Sequence, residues 1–412
     1  MTECLCRFCR APLFRTFVDL GVSPVANAFL GAAQLNKMEP FYPLHAYVCE
    51  TCLLVQLEDF EAPEHIFNDQ YAYFSSYSDS WLDHARRYTE KITARLGLNQ
   101  DSFVVEIASN DGYLLQYFVK KGIPVLGIEP SGNVASAARK KGIDTLVEFL
   151  TTNSAKEVVA KKRRADLVLG NNVLAHVPDL NDFVEGLKVL LSEHGVLTME
   201  FPHLLCLIKE NQFDTIYHEH FSYFSFLAVG QIFAKHGLRI FDVDQLPTHG
   251  GSLRIYAAHE ASRRWEEQAS VAKLLAEERS AGLNDISSYS NFSEQVNKTK
   301  LDLLRFLIDV KRAGKKIVGY GAPAKGNTLL NFCGIRSDII DYTVDRSPQK
   351  QGMFLPGTHI PIASPEKIFE SKPDYVLILP WNLRDEIAAQ MSGIAAWGGK
   401  LVVPIPEVRV LD

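Results

Sequence analysis

The densest run of titratable side chains is Asp214-Thr215-Ile216-Tyr217-His218-Glu219-His220-Phe221-Ser222-Tyr223. His218 and His220 are two positions apart, so this is not the metalloprotease H-E-x-x-H pattern. Adjacent side chains also make an awkward metal site, and a general base is the more natural use. Histidine titrates near neutral pH, and a neighbouring carboxylate such as Glu219 orients it and supports the imidazolium. A tyrosine can donate to a developing enolate oxygen. The plainer reading of the same residues is an aromatic-rich core loop with satisfied polar groups.

A second constellation is made of sulfur. Five of the seven cysteines fall in the first 52 residues, as Cys4, Cys6, Cys9, Cys49 and Cys52. Cys6-x-x-Cys9 and Cys49-x-x-Cys52 are two metal-ligand knuckles, and four thiolates close a tetrahedral zinc shell with no open position for catalysis. The x-x spacing favours Cys6 over Cys4 as ligand. The intervening stretch exceeds the usual ribbon spacing. Buried or redox cysteines without metal are the competing reading.

A third lies at strand ends. Phe103-Val104-Val105-Glu106-Ile107 reads as a strand that runs into Ser109-Asn110-Asp111-Gly112, and the next strand ends at Glu129. Ligands of open parallel sheets sit beyond the carboxyl ends of strands, where an acidic side chain accepts from two ribose hydroxyls. The first loop has only Gly112 of the G-x-G-x-x-G set, and Glu106 and Asp111 would repel a pyrophosphate. The loop therefore favours a cationic cofactor such as S-adenosylmethionine, or else merely caps the following helix. The exit of a later strand carries Asn171 and Asn172, suited to the adenine or methionine portion, and then His176, which could face a substrate. Pro247-Thr248-His249-Gly250-Gly251-Ser252 is read first as a turn joining two strands, with His249 held as a candidate substrate contact. Gly319, Gly321 and Gly326 surround a strand-to-helix turn that ends at Lys325 and Asn327, which suits phosphate contact through backbone N–H groups and the lysine charge. Trp381 could stack on a base but is by default a core residue.

The elements that must position these groups alternate in type. Strands are expected at 53–57, 103–107, 124–129, 166–170 and 196–201, with helices at 80–96, from 113, and near 131–141 and 180–192. That alternation implies a parallel sheet covered by helices. Segments 238–243 and 252–256 read as an antiparallel pair closing it. Residues 259–300 are polar and read as connecting helices, and a second α/β unit follows with strands at 316–321, 342–345, 375–379 and 401–404.

Composition sets the outer limits. The 412 residues carry 43 Lys+Arg and 49 Asp+Glu, a formal net charge of −6, with 47% hydrophobic and 22% charged residues. This is ordinary globular usage, which excludes a disordered or fibrous chain. The acidic balance argues against a nucleic-acid partner. There is no apolar run of the roughly 18–20 residues a membrane span needs. Without a secretory core at the N-terminus, a cytoplasmic location with reduced thiols is expected. Oligomeric state leaves no sequence signal.

Taken in order, Cys6-x-x-Cys9 and Cys49-x-x-Cys52, Glu106-x-x-Ser109-Asn110-Asp111-Gly112, Tyr217 to Tyr223, and His249-Gly250-Gly251-Ser252-Leu253-Arg254 resemble the zinc-containing sugar C-methyltransferases. These act on nucleotide-linked 4-keto-deoxyhexoses and include C-3′ methyltransferases. Gly319-Tyr320-Gly321-Ala322-x-x-Lys325-Gly326-Asn327 and Val344-Asp345-x-x-Pro348-x-Lys350-x-Gly352 match that family's C-terminal part. Ala108 departs from the glycine often found before Ser-Asn-Asp-Gly, and its methyl could crowd the cofactor.

The resemblance implies an α/β protein with a small N-terminal zinc module over 1–70, a Rossmann-like S-adenosylmethionine methyltransferase domain over 71–290, and a C-terminal Rossmann-like α/β domain over 291–412 that binds the nucleotide sugar. It implies Cys6, Cys9, Cys49 and Cys52 as structural zinc ligands. Cofactor contacts would come from Glu106, Ser109, Asn110, Asp111, Gly112, Glu129, Asn171 and Asn172. It implies His220 as the base that removes a proton beside the ketone, supported by Glu219. Tyr217, His176 and Tyr71 would stand at the reacting sugar, with Tyr223, His249, Lys325 and Asn327 as further contacts to a nucleotide-diphosphate-linked keto-sugar. An O-methyltransferase, a nucleotide-sugar oxidoreductase using the C-terminal glycine loop, and a non-catalytic scaffold are the alternatives.

Overall fold

The computed structural model describes residues 4–60 and 74–411. Three sheets organise it. The first is antiparallel and holds β1 (Arg15–Ser23), β2 (Tyr42–Val48) and β3 (Val55–Leu57). On β2, Leu44, Ala46 and Val48 alternate inward, as a half-buried strand requires. The two cysteine knuckles are the same hairpin used twice. Arg10 N–H donates to the Cys6 carbonyl and Leu53 N–H to the Cys49 carbonyl, both at 2.9 Å. Arg10 and Leu53 adopt left-handed φ of 65° and 61°. Leu53 thus belongs to a knuckle, which is why the strand expected from 53 starts at Val55.

The second sheet runs β10-β11-β8-β7-β4-β5-β6. Its parallel part is β4 (Val104–Ile107), β5 (Val125–Ile128), β6 (Thr145–Leu146), β7 (Ala165–Asn171) and β8 (Leu191–Pro202). Connecting helices span Gly132–Lys140, Thr152–Lys161 and Leu180–Leu190. The last of these passes directly into β8 at Leu191, earlier than the strand start expected at 196. A register irregularity opposite Ala165/Leu167 accommodates the extra residues. β10 (Leu238–Leu246) and β11 (Ser252–His259) close the edge antiparallel, as their sequence suggests.

The third sheet runs β14-β13-β12-β15-β16-β17, with β12 (Ile317–Tyr320), β13 (Thr343–Val344), β14 (Ile362–Ala363), β15 (Tyr375–Ile378), β16 (Lys400–Val403) and β17 (Arg409–Leu411). The segment expected to be a polar connector ends in helix Phe292–Arg312. That helix buries Phe292, Val296, Thr299, Leu303, Leu307 and Val310. The stripe has helical period and faces the core, so the helix is structural rather than a spacer.

One hydrophobic core joins the first and third sheets. Phe17 of β1 stacks on Phe292 with ring centroids 4.6 Å apart. The two-residue strand β9 (Ser222–Tyr223) leaves the second sheet's neighbourhood and pairs with β3. The cysteine module is therefore clamped to the chain just after His220. Among the described residues, no helix is long and apolar enough to cross a membrane.

Candidate active site

A cavity of about 1330 Å³ opens where these pieces meet. Its walls come from the carboxyl ends of β4, β5 and β7, the loop carrying Thr215 to His220, the β1–β2 connection from Pro24 to Pro40, and the Pro323-Ala324-Lys325 turn.

At the strand ends, Glu129 is held by two backbone N–H groups. Asn110 N–H donates to it at 3.0 Å and Ser131 N–H at 2.9 Å. Burial raises the Glu129 carboxyl, and these two donors oppose that rise. Glu129, Asn110, Asn171 and Asn172 border the cavity. Asn171 Nδ2 and Asn172 Oδ1 are buried without a protein partner. A fixed carboxylate beside unused amide groups fits the ribose hydroxyls and polar groups of S-adenosylmethionine. Ala108 borders the cavity with φ of 53°, a left-handed conformation that explains why glycine suits this position.

Four expected cofactor contacts shape the loop without bordering the cavity. Glu106 is fully buried beneath it, its carboxyl raised by burial and then by the Glu129 charge. Asp111 pairs with Lys141 at 2.9 Å. Gly112 has φ of 77°, and a Cβ there would meet Ile143 at 2.2 Å. Ser109 is buried against Gly127, where a Cβ would come within 2.3 Å of its Oγ. These positions demand small or satisfied groups because the loop packs tightly.

In the loop carrying Thr215 to His220, His220 Nδ1 lies 2.8 Å from the Thr215 carbonyl oxygen. A carbonyl only accepts, so Nδ1 carries the hydrogen and Nε2 keeps its lone pair. Burial, then the charge of His176, lowers His220 well below its usual range. His176 donates in the same way to the Glu219 carbonyl at 2.7 Å, and burial lowers it to about 4. The His176 and His220 rings meet edge to face at 4.7 Å, and the Tyr217 ring lies 4.0 Å from His220. The Glu219 carboxylate accepts from Asn27 Nδ2 at 2.8 and 3.0 Å, and burial raises it to about 7. The expected Glu219 support of His220 is thus replaced by the Thr215 carbonyl. His218 turns away, bonding to the Pro43 carbonyl at 3.1 Å.

The remaining expected contacts divide. His249 accepts from Asn172 Nδ2 at 2.8 Å and borders the cavity, so its turn faces the cleft instead of only joining β10 to β11. Lys325 also borders the cavity, lying over the Trp381 ring at 4.6 Å and donating to Asn382 Oδ1 at 2.8 Å. Trp381 is a core residue whose Nε1–H donates to Asp214 at 2.7 Å. Asn327 does not reach the cavity. It donates to the Ala26 carbonyl at 2.6 Å and ties the third sheet to the β1–β2 connection. Tyr223 lies off the cavity, behind His220. Tyr71 lies outside the described residues.

Sequence reading missed three features. Trp81 borders the cavity and meets the His249 ring edge-on at 5.3 Å. Asn27 reaches Glu219 across most of the N-terminal half of the chain. Buried Glu200 binds Arg254, His84 at 2.9 Å and Thr248 at 2.8 Å, fixing helix Asp79–Leu96 and the His249 turn to one carboxylate. Glu200 sits at a strand end as Glu129 does, which is the signal that could have found it.

Away from the cavity, the sulfurs of Cys6, Cys9, Cys49 and Cys52 all lie within 4.8 Å of one another. Cys6–Cys52 is 3.6 Å and Cys9–Cys49 is 3.5 Å. A tetrahedron with Zn–S near 2.3 Å has edges of about 3.8 Å, so the four sulfurs fit zinc. Gln56 Nε2 donates to Cys6 Sγ at 3.2 Å, an outer contact that steadies the ligand. Cys4 is outside the group and Cys6 is within it.

Residues 6–67 match a zinc binding domain family, residues 81–243 a methyltransferase domain family, and residues 247–406 the C-methyltransferase C-terminal domain family. The C-methyltransferase NovU of Streptomyces niveus is 37% identical over 407 residues, covering 99% of this chain and 96% of that protein. A ubiquinone biosynthesis O-methyltransferase of Rhodopseudomonas palustris is 26% identical over 117 residues, 28% of this chain and 46% of that protein. Among solved structures, the 1,6-didemethyltoxoflavin-N1-methyltransferase of Burkholderia thailandensis aligns at 17% identity with a TM-score of 0.36, over 52% of this chain and 97% of that one.

Proposed function

From the premise that this chain belongs to the zinc-containing, S-adenosylmethionine-dependent C-methyltransferases, we propose that it methylates the carbon beside the ketone, C-3, of a nucleotide-linked 4-keto-deoxysugar, with His220 as the base. One observation carries this reading. In a cavity that also holds the Glu129 carboxylate, His220 is locked by Thr215 into the tautomer whose Nε2 can accept a proton.

The chemistry needs a weakly acidic C–H to be broken. A carbon next to a ketone qualifies because the electron pair it leaves delocalises onto oxygen as an enolate. His220 Nε2 takes that proton. Its buried setting keeps it uncharged beforehand, so Nε2 carries no proton that must leave first. Tyr217 stands beside it with a hydroxyl suited to steady the enolate oxygen, and His176, whose Nδ1–H is given to the Glu219 carbonyl, is placed to contact the ring. Glu129, Asn171 and Asn172 would hold S-adenosylmethionine. When bound, it supplies the electrophilic methyl group on a positively charged sulfur. His249 and Lys325 are left to contact the substrate from the far walls, the lysine charge suiting its diphosphate. Tyr71 carries over from the family resemblance as a further group at the sugar.

The test is mass spectrometry of products from thymidine-, GDP- and CDP-linked 4-keto-deoxyhexoses, with fragmentation to place the new methyl. A carbon-bound methyl adjacent to the ketone is expected with one nucleotide. An oxygen-bound methyl, or turnover only with a nicotinamide cofactor, overturns the proposal.

A further inference from the structure

Arg7 lies inside the first cysteine knuckle, between Cys6 and Cys9, and is buried. Its main chain is held on both sides. Arg7 N–H donates to Gln56 Oε1 at 2.8 Å, and Nε2 of the same amide donates to Cys6 Sγ. The Arg7 carbonyl accepts from Asn181 Nδ2 at 3.0 Å, as does the Phe8 carbonyl. The knuckle is thereby docked on the start of helix Leu180–Leu190.

Burying a guanidinium is costly unless it is paired and hydrogen-bonded. Arg7 Nη1 donates to the Pro178 carbonyl at 2.8 Å. Nη2 donates to the Leu57 carbonyl and, at 2.9 Å, to Asp59, which supplies an opposite charge. Cζ lies 5.3 Å from the centroid of the Phe221 ring, within range of cation–π attraction. Two of these partners adjoin the histidine pair. Pro178 is two residues after His176, and Phe221 directly follows His220. The two histidine loops also hold each other. Phe221 N–H donates to the Ala175 carbonyl at 2.7 Å, and His176 Nδ1–H to the Glu219 carbonyl at 2.7 Å. Arg7 does not border the cavity, so it meets these loops from behind.

We propose that Arg7 is a positioning residue for the methyl transfer: from the cysteine knuckle it grips the Pro178 carbonyl and the Phe221 ring, and so sets where His176 and His220 stand in the cavity. The proposal rests on His220 being the base. Arg7 makes and breaks no bond and does not touch the substrate. Its effect passes through main chain to the spacing of the two rings, which meet at 4.7 Å. Misplacing a catalytic group by about 1 Å costs on the order of 10²-fold in rate, so a looser grip should be read in turnover. Arg7 would thus give the cysteine module a part in the chemistry beyond pairing β3 with β9.

The test uses the zinc-loaded full chain carrying Arg7→Ala or Arg7→Lys, and whichever nucleotide-linked keto-sugar turns over. Arg7→Ala should keep one zinc per chain and bind S-adenosylmethionine within about twofold of wild type, which certifies the fold. Its kcat, and the washout of the substrate's acidic hydrogen into deuterated water, should fall about tenfold with KM for the sugar within about twofold. Nitrogen NMR of histidine-labelled protein should show the His176 and His220 ring signals displaced. Arg7→Lys keeps a cation near Phe221 and a donor for Pro178, and should lose only about threefold. Washout at the wild-type rate in Arg7→Ala, or unmoved ring signals, overturns the proposal. Zinc content, cofactor affinity and turnover falling together in both variants also overturn it, by making Arg7 a fastener of the module alone. A raised KM at unchanged kcat overturns it as well. His220→Asn separates the two ideas: washout that survives it removes the base itself, whereas washout lost there and retained in Arg7→Ala removes only the positioning role.

Discussion

His220 and Thr215 are joined side chain to main chain, Nδ1–H to carbonyl oxygen at 2.8 Å, within one short loop. The tautomer of the proposed base is therefore set by its own backbone and not by a carboxylate. Burial and the neighbouring His176 hold the ring well below its usual basicity. Nitrogen NMR of histidine-labelled protein should show His220 neutral at pH 6, with the hydrogen on Nδ1. An imidazolium signal at that pH would contradict the geometry.

Glu219 gives a pH dependence of known sign. Burial raises its carboxyl to about 7, only partly offset by Asn27. An acid raised in the folded state binds its proton more tightly there than when unfolded. Its contribution to stability is present below the unfolded value, near 4.3, and is lost as pH rises through about 7. Glu219→Gln should therefore flatten that part of the stability profile and make the protein more stable than wild type at pH 8. Chemical denaturation across pH 4–8 tests this, and an unchanged profile would mean that the carboxylate is not paying a burial cost.

Glu129→Ala should weaken S-adenosylmethionine while sparing the base. Hydrogen bonds to a charged acceptor contribute about 1.5–3 kcal/mol, so the dissociation constant should rise roughly 10–150-fold. Calorimetric titration reads this directly. Glu106→Gln should behave differently, because Glu106 supports the loop from below and does not border the cavity. Its effect should appear in thermal stability.

Much of this was legible from residue order, and the failures have physical causes. The parallel strands announce themselves as short β-branched runs between turn residues, and Glu129, Asn171 and Asn172 stand at their ends, where ligands bind. Glu106 and Asp111 look equivalent to Glu129 in sequence, yet one is sealed under the loop and the other is taken by Lys141. That distinction depends on which way a tight turn closes. Asn27 could not be found, since its partner Glu219 lies 192 positions away in a different sheet's surroundings. Tyr223 was misplaced because β9 has only two residues, too few for alternation to reveal a face. His249 was undervalued because its turn type says nothing about what the turn faces.

Zinc should be required for more than the small module. Leu57 N–H donates to the Phe221 carbonyl at 3.0 Å, and β3 pairs with β9, so the cysteine hairpins hold the strand that follows His220. Cys49→Ser, or treatment with a strong chelator, should lower zinc content from one per chain, reduce the melting temperature and abolish turnover together. Full turnover in metal-free protein would show that the module does not support the site.

The most direct test of the account is hydrogen exchange at the substrate carbon beside the ketone, followed by NMR in deuterated water. Wild-type protein is predicted to exchange that hydrogen, and His220→Asn to abolish the exchange while binding S-adenosylmethionine within about twofold of wild type. Exchange at the wild-type rate in His220→Asn would contradict the assignment of the base.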